Sequence, residues 1–277
     1  MSEHADLGVD LIDQLSGSAR SLLAAAVAES SLLSGRLEFF DLQKADLAQA
    51  SYVQALQAAH EAHDSLLGAA ALAHMAFAPA FSGDSSRAEE SRDRVRAARA
   101  FARRADANDL VTAWLDAVEA EVETRFGDTR RALQLIHEAE QRLMDSDDVD
   151  TPAWFDWFSP ERLAGFKGNT LMASGQGRES RETLEAALRT LPDNAVKQRS
   201  ILLADLAATA VIENDPERAC EHLSAALDQL GETWYATAMD RVKAVRQSLR
   251  EWDSLPSVRD LDGRLYDWRT TVNSLVG

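Results

Sequence analysis

The stretch SPERLAGFKGNTLMASGQGRESRETLEAALRTLP, Ser159 to Pro192, decides how the rest of the chain is read. It spells two helices and a turn. Ser159 is an N-cap residue, Pro160 takes the first helical position, where its missing N–H costs nothing, and Glu161 and Glu179 place acid near helix starts. Ser174-Gly175-Gln176-Gly177 supplies a turn whose glycines accept positive φ. Ala164, Gly168 and Leu171 share a face of the first helix, and Ser180, Leu184 and Ala187 share one of the second. Small residues stand where two helices approach closely, larger ones fill the space between, and Pro192 closes the unit.

That spacing is the small/large code of a tetratricopeptide repeat, and a single helix pair cannot bury its apolar face alone. Further copies are therefore expected. Asp215-Pro216-Glu217-Arg218 opens one, with Ala219, Leu223 and Ala226 in phase and Leu203, Leu206 and Ala210 on the helix before it. Gly127-Asp128 opens another, with Ala132, Ile136 and Ala139 behind a helix from about Leu110 to Phe126. Gly83-Asp84 opens a third, with Ala88 in phase but Arg92 and Val95 departing from the pattern. The first carries Ala48, Tyr52 and Ala55 after Leu32, Leu33, Leu37 and Phe39. Equivalent positions 48, 88, 132, 180 and 219 lie further apart than the roughly 34 residues of the standard unit, so helices or loops are longer than usual.

The expected fold is all-α: a TPR-like helical-repeat solenoid of about five helix pairs with C-terminal capping helices. A short lead-in helix occupies 1–17, the array 18–232, and the caps 233–277. Within the array, helices are expected over Ser18 to Phe40, Asp46 to His63, Leu66 to Ala80 with a kink near Pro79, and an arginine-rich Ser85 to Arg104. Thr233 to Trp252 and Ser257 to Val276 read as the caps. Asp145 to Phe158, DSDDVDTPAWFDWF, reads as an irregular loop whose aromatic end docks somewhere.

Composition narrows the function. The chain has 277 residues, 45% of them hydrophobic, which is ample for a core, and β-branched runs are nearly absent. Its 29 Lys+Arg stand against 46 Asp+Glu, a net charge of −17. Such a chain repels phosphate backbones, so no direct nucleic-acid binding is expected. One cysteine, Cys220, cannot form an internal disulfide. No apolar run reaches a membrane span and the start lacks a signal peptide's basic residues, so the expectation is cytoplasmic with no membrane contact.

Catalytic strings are weak. Asp145-Ser146-Asp147-Asp148 matches the D-x-D-D proton donor of some terpene cyclases, but an acid-rich loop is more simply solvated, and no glycine turn or terminal glutamate makes it a calcium loop. His60-Glu61-Ala62-His63 is not H-E-x-x-H and reads as surface histidines at a helix end. No G-x-S-x-G, Walker or G-x-G-x-x-G string occurs. Gly165 to Gly168 reads as helix packing, and Cys220 as core. No catalytic set, metal or cofactor is assigned, and a non-enzymatic protein is expected.

Binding candidates follow from the concave face that the first helix of each repeat lines. They are His74 and Phe77 on the second pair, Trp114, Glu121 and Arg125 on the third, and Arg162, Asn169 and Met172 on the fourth. Asn169 can both donate to and accept from a peptide backbone, and Arg125 and Arg162 match a carboxylate or phosphate bidentately. The alternative is an ordinary solvated wall. Trp154, Phe155, Trp157 and Phe158 read as an inter-repeat plug or as a ligand box. Peptide, small molecule and partner protein all remain open, and homodimerisation through the first or last helices is compatible with the pattern.

Pro152-Ala153-Trp154-Phe155-Asp156-Trp157-Phe158, then Glu161-Arg162-Leu163-Ala164-Gly165, then Arg199-Ser200-Ile201-Leu202-Leu203-Ala204-Asp205-Leu206-Ala207 follow in an order that resembles the C-terminal tetratricopeptide region of actinobacterial XRE-type helix-turn-helix transcriptional regulators. Phe39 to Leu42, Ala219 to Glu221 and Pro256 to Leu261 add to the resemblance, which spans about Ala19 to Leu265. It implies a helical array that senses a ligand or partner for an attached DNA-binding domain. No basic helix-turn-helix precedes the array here, so the expectation is either the sensing half of such a regulator or a free-standing homologue. The alternative is an adaptor that binds a partner protein without regulatory output.

Overall fold

The computed structural model describes residues 2–145 and 151–276, with side chains placed over 7–144 and 151–268. The described residues are helical, with no strand. Backbone contacts group the chain into two compact units, Met1–Phe166 and Lys167–Gly277, a division that falls inside the stretch 18–232.

The first unit contains α1 (Ser2–Ile12), α2 (Gly17–Arg36), a π-helical turn (Leu37–Asp41), α3 (Ala45–Glu61), α4 (Ser65–Met75), α5 (Phe77–Ala80), a 3-10 turn (Ser85–Arg87), α6 (Ala88–Arg104), α7 (Asp109–Arg125) and α8 (Thr129–Asp145). Neighbours in sequence are mostly neighbours in space: α2 packs on α3, α3 on α4, α4 on α6, and α7 on both α6 and α8. The helix α9 (Pro160–Ala173) crosses the division between the units. The second unit continues with α10 (Gly177–Thr190), α11 (Val196–Ile212), α12 (Pro216–Glu232), α13 (Ala236–Ser248), a 3-10 turn (Leu249–Trp252) and α14 (Pro256–Val276). There α11 packs on α10, α12 and α13, and α14 on α12.

The small/large code is what the pairs bury. Ala48, Tyr52 and Ala55 on α3, Ala132, Ile136 and Ala139 on α8, Ser180, Leu184 and Ala187 on α10, and Ala219, Leu223 and Ala226 on α12 are all buried. On α6 the buried set is Ser91, Val95 and Ala98, one turn beyond the Ala88 register, and Ala88 itself is half-buried. The first residues expected to be helical there, Ser85 to Arg87, form the 3-10 turn, because Asp84 accepts the Ser86 N–H at 2.9 Å and delays the α-helix. A Cβ on Gly168 would stand 2.5 Å from Leu184, and one on Gly35 2.5 Å from the Tyr52 ring. Each glycine thus marks a place where a side chain of the facing helix packs directly on the backbone.

Four turns between helices share one chemistry. A left-handed residue is followed at once by an aspartate in His63-Asp64, Gly83-Asp84, Gly127-Asp128 and Asn214-Asp215. Asp64 accepts the N–H groups of Leu66 and Leu67 at 2.9 Å, and Asp215 that of Arg218 at 3.1 Å, which satisfies amides the first turn leaves open. The helix expected from Leu66 to Ala80 breaks at Ala76 rather than at Pro79. Proline at 79 removes the bond to the Met75 carbonyl four residues back. Arg94 donates to that carbonyl at 2.5 Å, and Ser91 Oγ donates to the Ala76 carbonyl at 3.1 Å.

Candidate functional site

Helix α7 is buried on nearly every side, and Asp116, Glu121, Glu123 and Thr124 are buried with it. Asp116 accepts from Arg99 at 2.7 Å and from Arg142 Nε at 3.0 Å, Glu119 from Arg99 Nε at 2.6 Å, and Glu123 from both ends of the Arg92 fork at 2.6 and 2.8 Å. Burial lifts the Asp116 carboxyl above its ordinary range while Arg99 and Arg142 pull the other way. The arginine-rich α6 is therefore one side of an ion-pair lattice, which the sequence reading missed. Its only signal is Arg92 and Arg99 a heptad apart, facing acids at 116, 119 and 123.

Beside this lattice lies an aromatic cluster, all within the first unit. The His74 ring centre is 5.2 Å from that of Trp114, 5.5 Å from Trp157, 5.6 Å from Tyr52 and 6.2 Å from Phe77. Phe155 stands 5.4 Å from Trp114 and 4.8 Å from Trp157. The aromatic end of the irregular segment thus docks as a plug against α4 and α7, and Phe155 and Phe158 are buried. The Arg36 guanidinium covers the Trp157 ring at 4.0 Å. His74 is fully buried and its Nδ1–H donates to the Ala70 carbonyl at 2.8 Å. Burial first, then the nearby charges of Arg36 and Arg162, lower its pKa to about 3 despite that bond. It is neutral throughout the physiological range.

The residues expected on a groove wall divide. Trp114, Phe77 and Glu121 are 3%, 4% and 2% exposed, so they stand in packed interior and not on a solvated wall. Arg125 donates to Glu121 at 2.7 Å and stacks 3.4 Å above the Phe81 ring. Arg162 is half-buried in the first turn of α9, and its backbone N–H donates to Ser159 Oγ at 3.2 Å. Among the described residues its guanidinium has no acidic partner. Asn169 and Met172, also half-buried, belong to the second unit.

In the first unit's cluster the buried Trp157 Nε1–H has no acceptor among the described residues. A separate open cleft of about 1080 Å³ lies along α1 and α3, lined by Val9, Ile12, Val53, Leu56 and Phe101, with Arg20 held by Glu61 at 2.9 Å in its lining.

The other strings carry little chemistry. No group of three metal-ligating side chains occurs among the described residues. His63 sits in a left-handed turn beyond the end of α3, so it does not share a helical face with His60. Cys220 is buried and its thiol is pushed up by that burial, which leaves little reactive thiolate. Residues 146–148 of the acidic string lie outside the described residues. No helix among the described residues is long and apolar enough to cross a membrane. No protein-family model matches the chain, and no curated protein matches it.

Proposed function

We propose that the chain is a non-enzymatic, TPR-type ligand-sensing and interaction module that binds a peptide or small molecule, and that it serves as the sensor part of a cytoplasmic transcriptional control system. The supporting observation is Arg162. Arg92, Arg99, Arg142 and Arg241 each hold a carboxylate of the chain, whereas half-buried Arg162 holds none among the described residues, and its charge reaches the neutral His74. A guanidinium so placed is suited to a ligand's charge rather than the fold's. Packed helix pairs of the repeat kind supply the rest of the argument, since a shift in how pairs pack converts occupancy into a change of shape.

Native mass spectrometry of the gently purified chain tests this reading. A retained mass of a few hundred to two thousand daltons is the expected result, and a bare chain whose stability no small molecule alters would sink it. The adaptor reading is favoured by the open apolar cleft along α1 and α3, and a stoichiometric protein on the chain would select it.

A further inference from the structure

Helices α1 and α3 both pack on α2, and the cleft of about 1080 Å³ that they line opens to solvent. Its α3 wall is one face of that helix, because Asp46, Ala50, Val53, Gln57 and Glu61 recur at spacings of three and four. Val9 and Ile12 of α1 and Phe101 of α6 also line it, and Val9 and Val53 are 41% and 37% exposed. From Asp46 to Glu61 the wall runs about 22 Å, which is about four helical turns. Acid marks both ends. At one end a single cation, Arg20, is shared by Glu61 at 2.9 Å and Asp13 at 3.4 Å, and at the other Asp46 is exposed. Arg104 lies over the Phe101 ring at 5.1 Å, and Asp10 is exposed beside Val9, so acids outnumber cations around the cleft.

We infer that this cleft is the docking surface for a basic amphipathic helix of about four turns contributed by a partner protein. It lies along α3 with its apolar stripe on Val9, Val53, Leu56 and Phe101 and its lysines or arginines toward Asp46 and Asp13. An extended segment is the poorer occupant. No strand among the described residues offers it an edge to pair with, whereas a helix arrives with its backbone hydrogen bonds already made. A second copy of this chain is opposed by charge, since each copy carries −17. The cleft draws on α3 and α6, the second helices of the pairs α2/α3 and α4/α6, so it is distinct from the concave face expected on the first helices. Arg162 takes no part in it. The inference therefore does not rest on the sensing reading, and either can fail alone.

Fluorescence anisotropy with the full chain at physiological ionic strength tests this with three labelled peptides. One repeats LKKLLKL twice. The second repeats LKLKLKL twice, which keeps composition and charge but has no helical stripe, and the third repeats LEELLEL twice. The first binds with a Kd of about 1–100 μM, and the other two bind at least about tenfold more weakly. Val53→Lys at the cleft wall and Met144→Lys, 80% exposed on α8, change the net charge equally. Val53→Lys weakens the first peptide by about tenfold or more, and Met144→Lys leaves it unchanged. Asp46→Lys, at an exposed position, weakens it by about threefold to tenfold and flattens its salt dependence, and it carries the test if Val53→Lys does not fold. Equal weakening by Val53→Lys and Met144→Lys means general attraction to an acidic chain and overturns the inference. So does equal binding of the alternating peptide, or no binding of the first. A dimer in sedimentation that Val53→Lys disperses puts a second copy in the cleft and overturns it as well.

Discussion

Arg36 lies with its guanidinium 4.0 Å above the Trp157 ring, so the C-terminal end of α2 holds down a segment more than a hundred residues later. The contact closes the aromatic cluster over His74 and Trp114 and gives the 151–159 segment a fixed seat.

Replacing Arg36 with Met should therefore loosen that seat. A partly desolvated cation–π pair is worth about 1–2 kcal/mol. The expected outcome is a loss of that order in urea unfolding, with faster limited proteolysis between Pro152 and Ser159. Unchanged cleavage there would show that the guanidinium does not hold the segment.

His74 makes stability depend on pH in a defined window. Its folded pKa of about 3 lies below the unfolded value near 6.5, so below pH 6.5 the unfolded chain binds the proton and the folded one does not. The contribution is complete above pH 6.5 and is lost as pH falls toward 3, by about 2 kcal/mol between pH 6.5 and 5. His74→Gln should remove that slope, and parallel wild-type and variant curves would contradict the assignment.

The lattice on α7 predicts a contrast between buried and exposed pairs. Asp116→Ala leaves Arg99 and Arg142 without their shared carboxylate and should cost about 3–5 kcal/mol. Arg178→Ala removes a pair whose arginine side chain is 79% exposed, and should leave stability nearly unchanged. Equal losses in chemical denaturation would mean the buried pairs do not anchor the helix.

Gly168 and Gly263 should respond oppositely to alanine. At 168 the new methyl meets Leu184 at 2.5 Å in a closed interface, and a loss of about 1–3 kcal/mol is expected. At 263 nothing lies within 4 Å, and better helix propensity should add up to about 1 kcal/mol. Thermal melts of the two variants check both signs at once.

What the sequence by itself determined was local. Caps, turns and the Ala132/Ile136/Ala139, Ser180/Leu184/Ala187 and Ala219/Leu223/Ala226 faces were legible because each depends on residues within a turn or two of one another. The Ala88 register was misread, since Asp84 first winds a 3-10 turn and shifts the buried face to Ser91, Val95 and Ala98. Tertiary structure alone decided the fate of Trp114, Phe77 and Glu121. A helix covered on nearly every side, as α7 is, carries little contrast between a wet face and a dry one, so spacing cannot tell groove from interior. It also decided which arginines would find an acid. Among the described residues Arg99 reaches Asp116 and Arg162 reaches no acid, because pairing across helices is set by packing distances, and those are not written in the spacing of either helix.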